Sequence, residues 1–492
     1  MSTIEQYDRF EISLEGPSDG NPFVDVSFEA GFSLRNRTVT VRGFYDGEGR
    51  YLARFMPDEP GEWTWRTRSE TVALDGHSGA FSVSGPGDRG RAGAGGTGSA
   101  AGGAPNHGPV QVSGTRFAYA DGTPYVPIGT TCYAWFHQPK ELRDRTIGTL
   151  AANAFTKIRM CLFPKHYRYN HNEPELFVFP GSLEDGFDYA RFDPAFFADF
   201  EVELDRLMQL GIEADLILFH PYDRWGFQNM EAEVEERYLR YAIARLASFR
   251  NVWWSMANEW DFMKQKDVQD FHRYFRTVWR EDPYDHPRSV HNGHVFYDHA
   301  LPWVTHCSIQ RSNTEAVSEW IDQYRKPVVI DECCYEGDIR EGWGNITGRE
   351  LMRRQWTALV NGGWPGAHGE TYYNEEEVLW WSKGGTLSGE APARIGFMKR
   401  ILDDAPVAEL VSEKPRWDLR RLNANDDYLL YYLGFQRPSW KDLTLPEGRA
   451  YEIDVIDTWE MTVTTLDGHF SGEARVPLPA KEYMAIRCRA HG

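Results

Sequence analysis

The feature that most constrains the fold of this chain is an apolar run that ends in polar residues, at positions 251–260. The run reads Asn-Val-Trp-Trp-Ser-Met-Ala-Asn-Glu-Trp, and its apolar part is typical of a buried β-strand. Asn258 and Glu259 follow directly, and a carboxylate there is costly to desolvate unless its charge is used. Residues 327–332, Pro-Val-Val-Ile-Asp-Glu, repeat the pattern and end in Asp331 and Glu332. The sequence therefore predicts buried strands that carry acidic groups at their C-terminal ends.

Strand-like and helix-like segments alternate through the middle of the chain. One helix is predicted to begin at Asp193 and Pro194 and to end at Gly211. Its buried face is expected to consist of Phe196, Phe200, Leu204, Leu207 and Met208. Eight candidate strands lie at residues 125–128, 156–162, 213–219, 252–257, 289–292, 305–309, 327–330 and 366–369. Strands and helices in this order predict an α/β fold, a (β/α)₈ TIM barrel.

The two ends of the chain have a different pattern, which predicts flanking β domains. Residues 1–84 contain short stretches of alternating apolar and polar residues between turn signals, which favours an N-terminal Ig-like β-sandwich. Residues 85–108 are rich in Gly, Ala and Ser, which is typical of a linker or an exposed loop. We assign residues 109–404 to the barrel. Alternating stretches return in residues 405–492, which predicts a C-terminal antiparallel β-sandwich.

Charge and cysteine usage exclude several classes of protein. A formal net charge of −20 disfavours nucleic acid and anionic membranes as partners. No segment has the length of an uncharged membrane span, and the first residues do not resemble a signal peptide. Six cysteines at irregular spacing indicate free thiols in a reducing compartment. We therefore expect a cytoplasmic protein with no cofactor and no metal, and a homo-oligomer is left open.

The strand ends indicate the chemistry. Working residues of a parallel barrel sit at the C-terminal ends of its strands, so Glu259 and Glu332 should face each other across the mouth. Hydrolysis of a glycosidic bond uses such a pair, one acid to protonate the leaving oxygen and one to attack or stabilise the anomeric carbon. Asn258 is expected to hydrogen-bond a ring hydroxyl beside that carbon. The alternative is that either glutamate forms an ion pair on the rim of the barrel.

The same residues carry a resemblance to a known family. Asn258-Glu259 after strand four and Glu332 after strand seven resemble the retaining glycosidases of the clan A (β/α)₈ superfamily. Over nearly its whole length, the chain resembles apiosidase-like barrel proteins that are flanked by two domains of unknown function. Residues 43–49 (Gly-Phe-Tyr-Asp-Gly-Glu-Gly) and 54–63 (Arg-Phe-Met-Pro-Asp-Glu-Pro-Gly-Glu-Trp) are typical of the front domain of that family. Residues 451–459 (Tyr-Glu-Ile-Asp-Val-Ile-Asp-Thr-Trp) are typical of its rear domain.

The resemblance implies that Glu259 is the general acid/base and Glu332 the nucleophile. Asp331 is the competing candidate for the second role. Neighbouring residues on a strand face opposite sides, so only one of the two acids is expected to point into the mouth. Alignment with the acid of the family favours Glu332, and Asp331 is then expected to be structural.

Further side chains near predicted strand ends are candidates for contacts with a sugar. Together with Asn258 they are Tyr133, Trp135, Arg159, His220, Trp225, His294, Gln310, Tyr335 and Glu370. Arg159 either keeps the nucleophile ionised or fills the barrel in a pair with another acid. Polar groups at so many strand ends match a pocket that binds several hydroxyl groups.

We therefore predict a retaining glycoside hydrolase that works by double displacement, with its two carboxyl groups about 5–5.5 Å apart. It is expected to be exo-acting on short oligosaccharides or glycosides of the arabinofuranoside, galactoside or apioside type. The alternatives are a transglycosylase with the same covalent intermediate and a non-catalytic sugar-binding barrel. A metal-dependent barrel hydrolase is disfavoured, because residues 129–135 at the end of strand one contain no pair of histidines.

Overall fold

The structure is a computed structural model that describes residues 2–85, 103–414 and 419–491. Of the predicted linker at 85–108, residues 86–102 lie outside the described residues. Residues 103–108 contact the folded parts on both sides. The Ala104 amide donates to the Gln209 carbonyl at 2.9 Å, and the Asn106 side chain donates to the Gln6 carbonyl at 2.9 Å.

The N-terminal part contains two β-sheets that pack face to face. Their orders are β1-β8-β7-β3-β4 and β2-β6-β5. Phe32 of the first sheet stacks on Phe55 of the second at 4.4 Å between ring centroids, and Trp63 is fully buried beside them. The elements are β1 (Thr3–Glu5), β2 (Phe10–Glu15), α1 (Pro22–Asp25), β3 (Phe28–Leu34), β4 (Arg37–Arg42), β5 (Phe44–Tyr45), β6 (Arg50–Phe55), β7 (Gly61–Ser69) and β8 (Ser78–Ser84).

The middle part is mixed α/β. Its strands are β9 (Val110–Ser113), β10 (Arg116–Tyr119), β11 (Pro124–Tyr125), β12 (Gly129–Thr131), β13 (Lys157–Cys161), β14 (Gly181–Ser182), β15 (Gly186–Phe187), β16 (Glu213–Ile217), β17 (Val252–Ser255), β18 (Arg288–Ser289), β19 (Cys307–Gln310), β20 (Val328–Glu332), β21 (Glu336–Gly337), β22 (Trp364–Pro365) and β23 (Glu370–Thr371). Its helices are α2 (Lys140–Ala151), α3 (Pro194–Gln209), α4 (Ala232–Leu246), α5 (Val268–Glu281), α6 (Val317–Tyr324), α7 (Gly348–Val360), α8 (Trp380–Lys383) and α9 (Ala391–Asp403).

Eight strands of this part form two parallel sheets, and β21 and β23 make a separate parallel pair. One sheet has the order β12-β13-β16-β17-β18 and the other has the order β19-β20-β22. Parallel bridges join the sheets at both edges, between His291 and Ser308 and between Thr130 and His368. The pairing therefore runs in a closed circuit, which we call the parallel ring.

Side chains add to the backbone pairing at the seam between β18 and β19. Ser289 Oγ donates to the His306 carbonyl at 2.6 Å and accepts from the Ser308 amide at 3.1 Å. The Asn292 amide group bonds both backbone groups of Gln310, at 3.1 and 3.2 Å. Two short polar side chains thus hold the two sheets together at this edge.

Two predicted strands are displaced from the observed ones. Residues 124–125 pair with β10 in an antiparallel hairpin, so strand one of the ring is Gly129–Thr131 rather than 125–128. The last strand is Trp364–Pro365, two residues before the predicted start. The ring closes here by a close backbone approach, because a Cβ at Gly129 would lie 2.8 Å from the Gly366 carbonyl oxygen. The other predicted strands overlap the observed ones, with ends that differ by a few residues.

The helix predicted after Asp193 is confirmed. Asp193 caps α3 by accepting from the Ala195 amide at 2.9 Å, and Pro194 is its first residue. The predicted apolar face is buried except for Met208, which is half-buried. The chain leaves the helix at Gly211, whose φ of +71° favours glycine.

A buried ion cluster ties the N-terminal sheets to helices α3 and α4. Glu201 of α3 bonds Arg54 of β6 at 3.0 Å and Arg245 of α4 at 2.7 Å. Arg245 also donates to Asp46 at 2.6 Å. Because these charges neutralise each other away from water, the N-terminal part is fixed to the parallel ring rather than loosely tethered.

The C-terminal part is antiparallel β-structure. A six-stranded sheet has the order β24-β25-β26-β31-β28-β29, and β27 pairs with β30. Leu443 and Val476 of that pair share an apolar core with Leu429 and Ile453 of the sheet. The strands are β24 (Val411–Glu413), β25 (Arg421–Ala424), β26 (Tyr428–Tyr432), β27 (Trp440–Thr444), β28 (Ala450–Asp457), β29 (Thr462–Thr465), β30 (Glu473–Pro477) and β31 (Met484–His491).

All six cysteines carry free thiols. Within the described residues, no helix combines the length and the apolar character that a membrane crossing requires.

Candidate active site

Asn258 and Glu259 sit at the C-terminal end of β17, where hydrogen bonds to both neighbouring strands hold the backbone. The Asn258 amide donates to the Phe219 carbonyl at 3.0 Å, and the Trp260 amide donates to the His291 carbonyl at 3.0 Å. Glu259 itself has a φ of +50°, a left-handed backbone conformation that residues other than glycine rarely adopt. Such strain persists where surrounding contacts enforce it, and it concentrates at functional sites.

A β-bulge sets the position of Glu332. The pairing of β19 with β20 goes from Ile309–Ile330 to Gln310–Glu332, so Asp331 is the extra residue. Asp331 bonds Lys157 of β13 at 2.8 Å, and Glu332 accepts from the Tyr133 hydroxyl at 3.2 Å. Both acids therefore point to the inside of the ring, so the premise that neighbouring residues face opposite sides fails here, but only Glu332 of the two lies beside Tyr133 at the mouth. A bulge breaks the alternation of side chains along a strand and redirects one of them.

Asp331 belongs to a compact charge cluster below the mouth. Lys157 bridges Asp331 and Asp215 at 2.8 and 2.7 Å, and Ser308 donates to Asp331 at 2.6 Å. Burial acts to raise the pKa of Asp331, but the charges of Lys157 and Arg159 hold it well below its usual range. With its oxygens occupied in this way, Asp331 has a structural role.

Glu259 lies in an environment that favours its protonated form. The Tyr222 hydroxyl and the Asn258 amide group, at 3.0 Å, donate to the same oxygen, Oε2. Burial raises the pKa of Glu259, and the neighbouring charge of Glu332 raises it further. Lys165 and Tyr222 oppose these effects without cancelling them.

Glu332 lies in an environment that favours its ionised form. His291 Nε2 is 3.5 Å from Glu332 Oε2. Burial acts to raise the pKa of Glu332, but the imidazole of His291 and the positive charges of Arg159 and Lys165 hold it below its usual range. Two neighbouring carboxyl groups whose pKa values move apart are typical of an acid and a nucleophile in one site.

The side-chain amide of Gln310 bridges the two carboxyl groups. It fits best with its NH₂ group facing Glu332 Oε2 at 3.2 Å and the Asn292 carbonyl at 3.1 Å. Its other terminal atom, 3.3 Å from Glu259 Oε1, is then the carbonyl oxygen. A carbonyl oxygen only accepts, so this contact is a hydrogen bond when Glu259 carries a proton. The amide therefore matches a protonated Glu259 beside an ionised Glu332.

Several predicted contact residues do surround the carboxyl groups. The Tyr133 hydroxyl oxygen lies 3.0 Å from Asn258 Oδ1 and 3.2 Å from Glu332 Oε2, and these two acceptors share its single proton. Arg159 is fully buried, reaches Asn258 at 3.4 Å, and lies 3.6 Å from Asp215. Arg159 is thus an interior arginine paired mainly with another acid, and it acts on Glu332 only through its charge.

Two of the sugar-binding candidates, Trp135 and His220, have their polar atoms bonded within the protein. Trp135 is fully buried in the apolar core, where its indole N–H points at Met160 Sδ at 3.3 Å. His220 contacts the Phe163 carbonyl with one ring nitrogen and accepts from the Tyr222 amide with the other, both at 3.2 Å. Burial lowers the pKa of His220 to about 3, so it is a neutral residue that positions Tyr222.

The remaining candidates contact other parts of the structure. Trp225 donates to Glu173 at 2.8 Å, and Glu370 accepts from the Ser388 amide at 2.7 Å. Tyr335 is fully buried, with its ring 6.0 Å from that of Trp381. His294 is exposed on a loop, with its ring 5.1 Å from that of Phe262. None of the four contacts Glu259 or Glu332 through a hydrogen bond within the described chain.

Three residues at the carboxyl groups were absent from the predicted set: Tyr222, His291 and Lys165. Tyr222 follows strand three and could have been found from its position, two residues after His220. His291 lies just after the very short strand β18, and Lys165 lies in the loop after β13. Among the residues described, no group of three or more His, Cys, Asp or Glu side chains could hold a metal ion.

Comparisons with known proteins fit this geometry. Residues 112–417 match the model of an apiosidase-like catalytic domain. Residues 3–70 and 417–489 match two domains of unknown function, DUF5060 and DUF5605. No curated protein matches the chain significantly.

Solved structures give the same picture. A crystal structure of a candidate glycoside hydrolase from Bacteroides vulgatus ATCC 8482 is 37% identical, with a TM-score of 0.92 and 100% of each chain covered. A family 5 glycoside hydrolase from the same organism is 14% identical, with a TM-score of 0.63 over 78% of this chain and 94% of the other. The likeness to the family 5 enzyme shows a similar fold and nothing more.

Proposed function

The chain belongs to the apiosidase-like family of glycoside hydrolases, and from that membership we propose that it is a retaining enzyme that works by double displacement. One observation carries the proposal: two buried carboxyl groups at one mouth have pKa values shifted in opposite directions, Glu259 upward and Glu332 downward. Burial and the charge of Glu332 raise the pKa of Glu259, whereas His291, Arg159 and Lys165 lower that of Glu332, so we assign a separate role to each carboxyl group.

In the first step, a Glu332 oxygen forms a bond to the anomeric carbon while the bond from that carbon to the leaving oxygen breaks. Glu259 gives its proton to the leaving oxygen and becomes ionised. In the second step, ionised Glu259 takes a proton from water as the water oxygen attacks the anomeric carbon, and Glu332 leaves as a carboxylate. Tyr133 orients Glu332, and Tyr222 and Asn258 orient Glu259.

The architecture that we propose for this function is a (β/α)₈ barrel over residues 109–404. It is supported by the parallel ring with helices between its strands. We propose flanking sandwiches over residues 1–84 and 405–492, supported by the stacked sheets at each end. The spacing of about 5–5.5 Å between the two carboxyl groups also stays a proposal.

The substrate class that we propose is a short oligosaccharide or glycoside, cleaved from its end, of the apioside, arabinofuranoside or galactoside type. The family name supports an apioside, and the low exposure of Glu259 and Glu332, 8% and 9%, suits a pocket better than an open cleft. Six free thiols support a reducing, cytoplasmic setting.

Leaving-group dependence tests the roles of the two acids. Glu332→Ala should abolish turnover of every nitrophenyl glycoside that the protein accepts. Glu259→Ala should lower turnover of substrates with poor leaving groups by about 10²–10⁴-fold and barely affect activated ones, because only poor leaving groups need a proton. Glu370→Gln is the matched control, since Glu370 is a buried acid bonded to a loop amide.

The configuration of the first-formed sugar, read by proton NMR, tests the retaining mechanism. Retention is expected, and inversion would refute double displacement. Equal losses on both substrate types in Glu259→Ala would refute the assigned acid. Products that are longer than the substrate would identify a transglycosylase.

A further inference from the structure

A lone buried cation lies at the mouth of the ring. Lys165 is 2% exposed, and its ammonium nitrogen sits 3.6 Å from the ring centroid of Tyr133. The rings of Tyr222, Tyr167 and Trp381 lie at 4.3, 4.7 and 5.5 Å from the same nitrogen. Within the described residues, this ammonium donates no hydrogen bond and forms no ion pair of ordinary length. Aromatic faces stabilise it by cation–π attraction instead.

The position of this ammonium relates it to both carboxyl groups. The two nearest rings, Tyr133 and Tyr222, each donate a hydroxyl hydrogen bond to one of the acids. Tyr133 bonds Glu332 at 3.2 Å, and Tyr222 bonds Glu259. Lys165 therefore lies between the phenol that orients the nucleophile and the phenol that orients the acid.

The charges below the mouth leave Lys165 without a structural counterion. Lys157 and Arg159 face Asp215 and Asp331 inside the ring, two cations against two anions. That cluster is neutral by itself. The charge of Lys165 is thus available to the pair formed by Glu259 and Glu332.

We propose that Lys165 is a positioning residue, a fixed cation that balances the one negative charge of the site as it moves from Glu332 to Glu259. The proposal rests on the double-displacement function above. In the free enzyme, Glu332 is ionised and Glu259 is protonated. In the glycosyl-enzyme, Glu332 is an ester, and Glu259 has given its proton to the leaving oxygen. Because Lys165 faces both groups, it compensates either charge without moving.

The thiol and the phenols around Lys165 stay neutral in the working pH range. Burial raises the pKa of the Cys161 thiol to about 12, and it raises the pKa of Tyr133 and Tyr167 well above 10. Tyr222 is shifted in the same direction, first by burial and then by Glu259. His291 and Arg159 are the further nitrogen groups near Glu332. Burial lowers the pKa of Lys165 itself, and the two carboxyl groups act against that shift.

The pH profile of turnover tests the proposal. Lys165→Met makes both carboxylates less stable, so the pKa values of Glu332 and Glu259 both rise. Activity needs ionised Glu332 and protonated Glu259, so the acid limb and the alkaline limb should both move to higher pH, by about one unit each. Lys165→Arg should bring both limbs back towards those of the wild type. A purely structural role would lower kcat at every pH without moving either limb, and that result would overturn the proposal.

Lys326→Met is the matched control for the loss of a half-buried lysine. Its ammonium donates to the carbonyls of His299 and Leu301 at 2.6 and 2.7 Å. Both limbs of the profile should stay in place in this variant. If Lys326→Met moves them as Lys165→Met does, the shift is not specific to the site, and the proposal fails.

A measurement without substrate separates this inference from the proposed function. We would compare melting temperatures at pH 7 for the wild type, Lys165→Met, the variant Glu259→Gln/Glu332→Gln and the triple variant. The change in melting temperature caused by Lys165→Met should be at least halved in the background that lacks both carboxyl groups, because neither partner charge remains. An equal change in both backgrounds would overturn the charge coupling even in an active glycosidase. Coupling in a protein that hydrolyses no glycoside would instead refute the function alone.

Discussion

Replacing Asp331 should lower the stability of the protein, whereas replacing Glu332 should abolish its catalysis. Asp331 shares Lys157 with Asp215 at 2.8 and 2.7 Å, and all three side chains are at most 3% exposed. Asp331→Asn keeps the shape but leaves two interior cations facing one carboxylate. Breaking a buried pair in this way costs about 3–5 kcal/mol of unfolding free energy. Glu332→Gln removes the charge that keeps Glu259 protonated, so Glu259 can ionise in its place beside Lys165, and the effect on stability should be about 1 kcal/mol or less.

The assay is urea unfolding at pH 7, followed by tryptophan fluorescence, with turnover measured per folded molecule. Asp331→Asn should be much less stable and yet active while folded, whereas Glu332→Gln should be stable and inactive. The pKa of Asp331 is lower in the folded chain than in the unfolded chain. The stability that ionised Asp331 contributes is therefore present above the unfolded pKa of about 3.9 and is lost as pH falls through the folded value. The difference in unfolding free energy between the wild type and Asp331→Asn should therefore narrow below about pH 4. Equal stability of the two variants at pH 7 would refute the interior charge cluster, and an inactive folded Asp331→Asn would reopen the choice of nucleophile.

Two further substitutions test contacts of the site. Tyr222→Phe removes a hydrogen bond that stabilises ionised Glu259, so the pKa of Glu259 should rise and the alkaline limb of the pH profile should move up by about one unit while the acid limb stays. Movement of both limbs would show that Tyr222 acts on more than Glu259. Trp135→Phe should lower the unfolding free energy by about 1–3 kcal/mol and leave KM within about twofold, because the indole packs in the core against Met160. A large rise in KM would indicate that Trp135 contacts the sugar.

The sequence predicts which strands carry the acids because burial and chain order suffice for that purpose. Residues 252–255 and 328–330 are apolar enough to be recognised as parts of interior strands, and the polar residues that follow them mark the mouth. Neither the family resemblance nor the alternation of side chains reveals the bulge at Glu332. A bulge depends on the register with β19, which is a contact between strands and not a property of either one.

Single aromatic and histidine residues were harder to assign. In the sequence, an indole after strand one is compatible with an apolar core as well as with a sugar-binding cleft. In the structure, Trp135 packs in the apolar core. His220 accepts from a backbone amide two residues away, a local bond that strand-end position does not predict. No feature of the sequence indicates that Lys165 is buried, because a lysine in a loop is usually exposed.

The seams of the parallel ring have a consequence for the spacing between the two acids. Glu259 follows β17 of the five-stranded sheet, and Glu332 ends β20 of the three-stranded sheet. The two sheets meet between β18 and β19, where backbone bonds and the side chains of Ser289 and Asn292 join them, so the separation of the two acids depends in part on this edge. Motion at that edge would change the distance between the two carboxyl groups, and that distance decides between retention and inversion. We therefore expect Ser289 and Asn292 to influence the spacing on which the stereochemistry of the proposed reaction depends, although neither residue needs to touch a sugar.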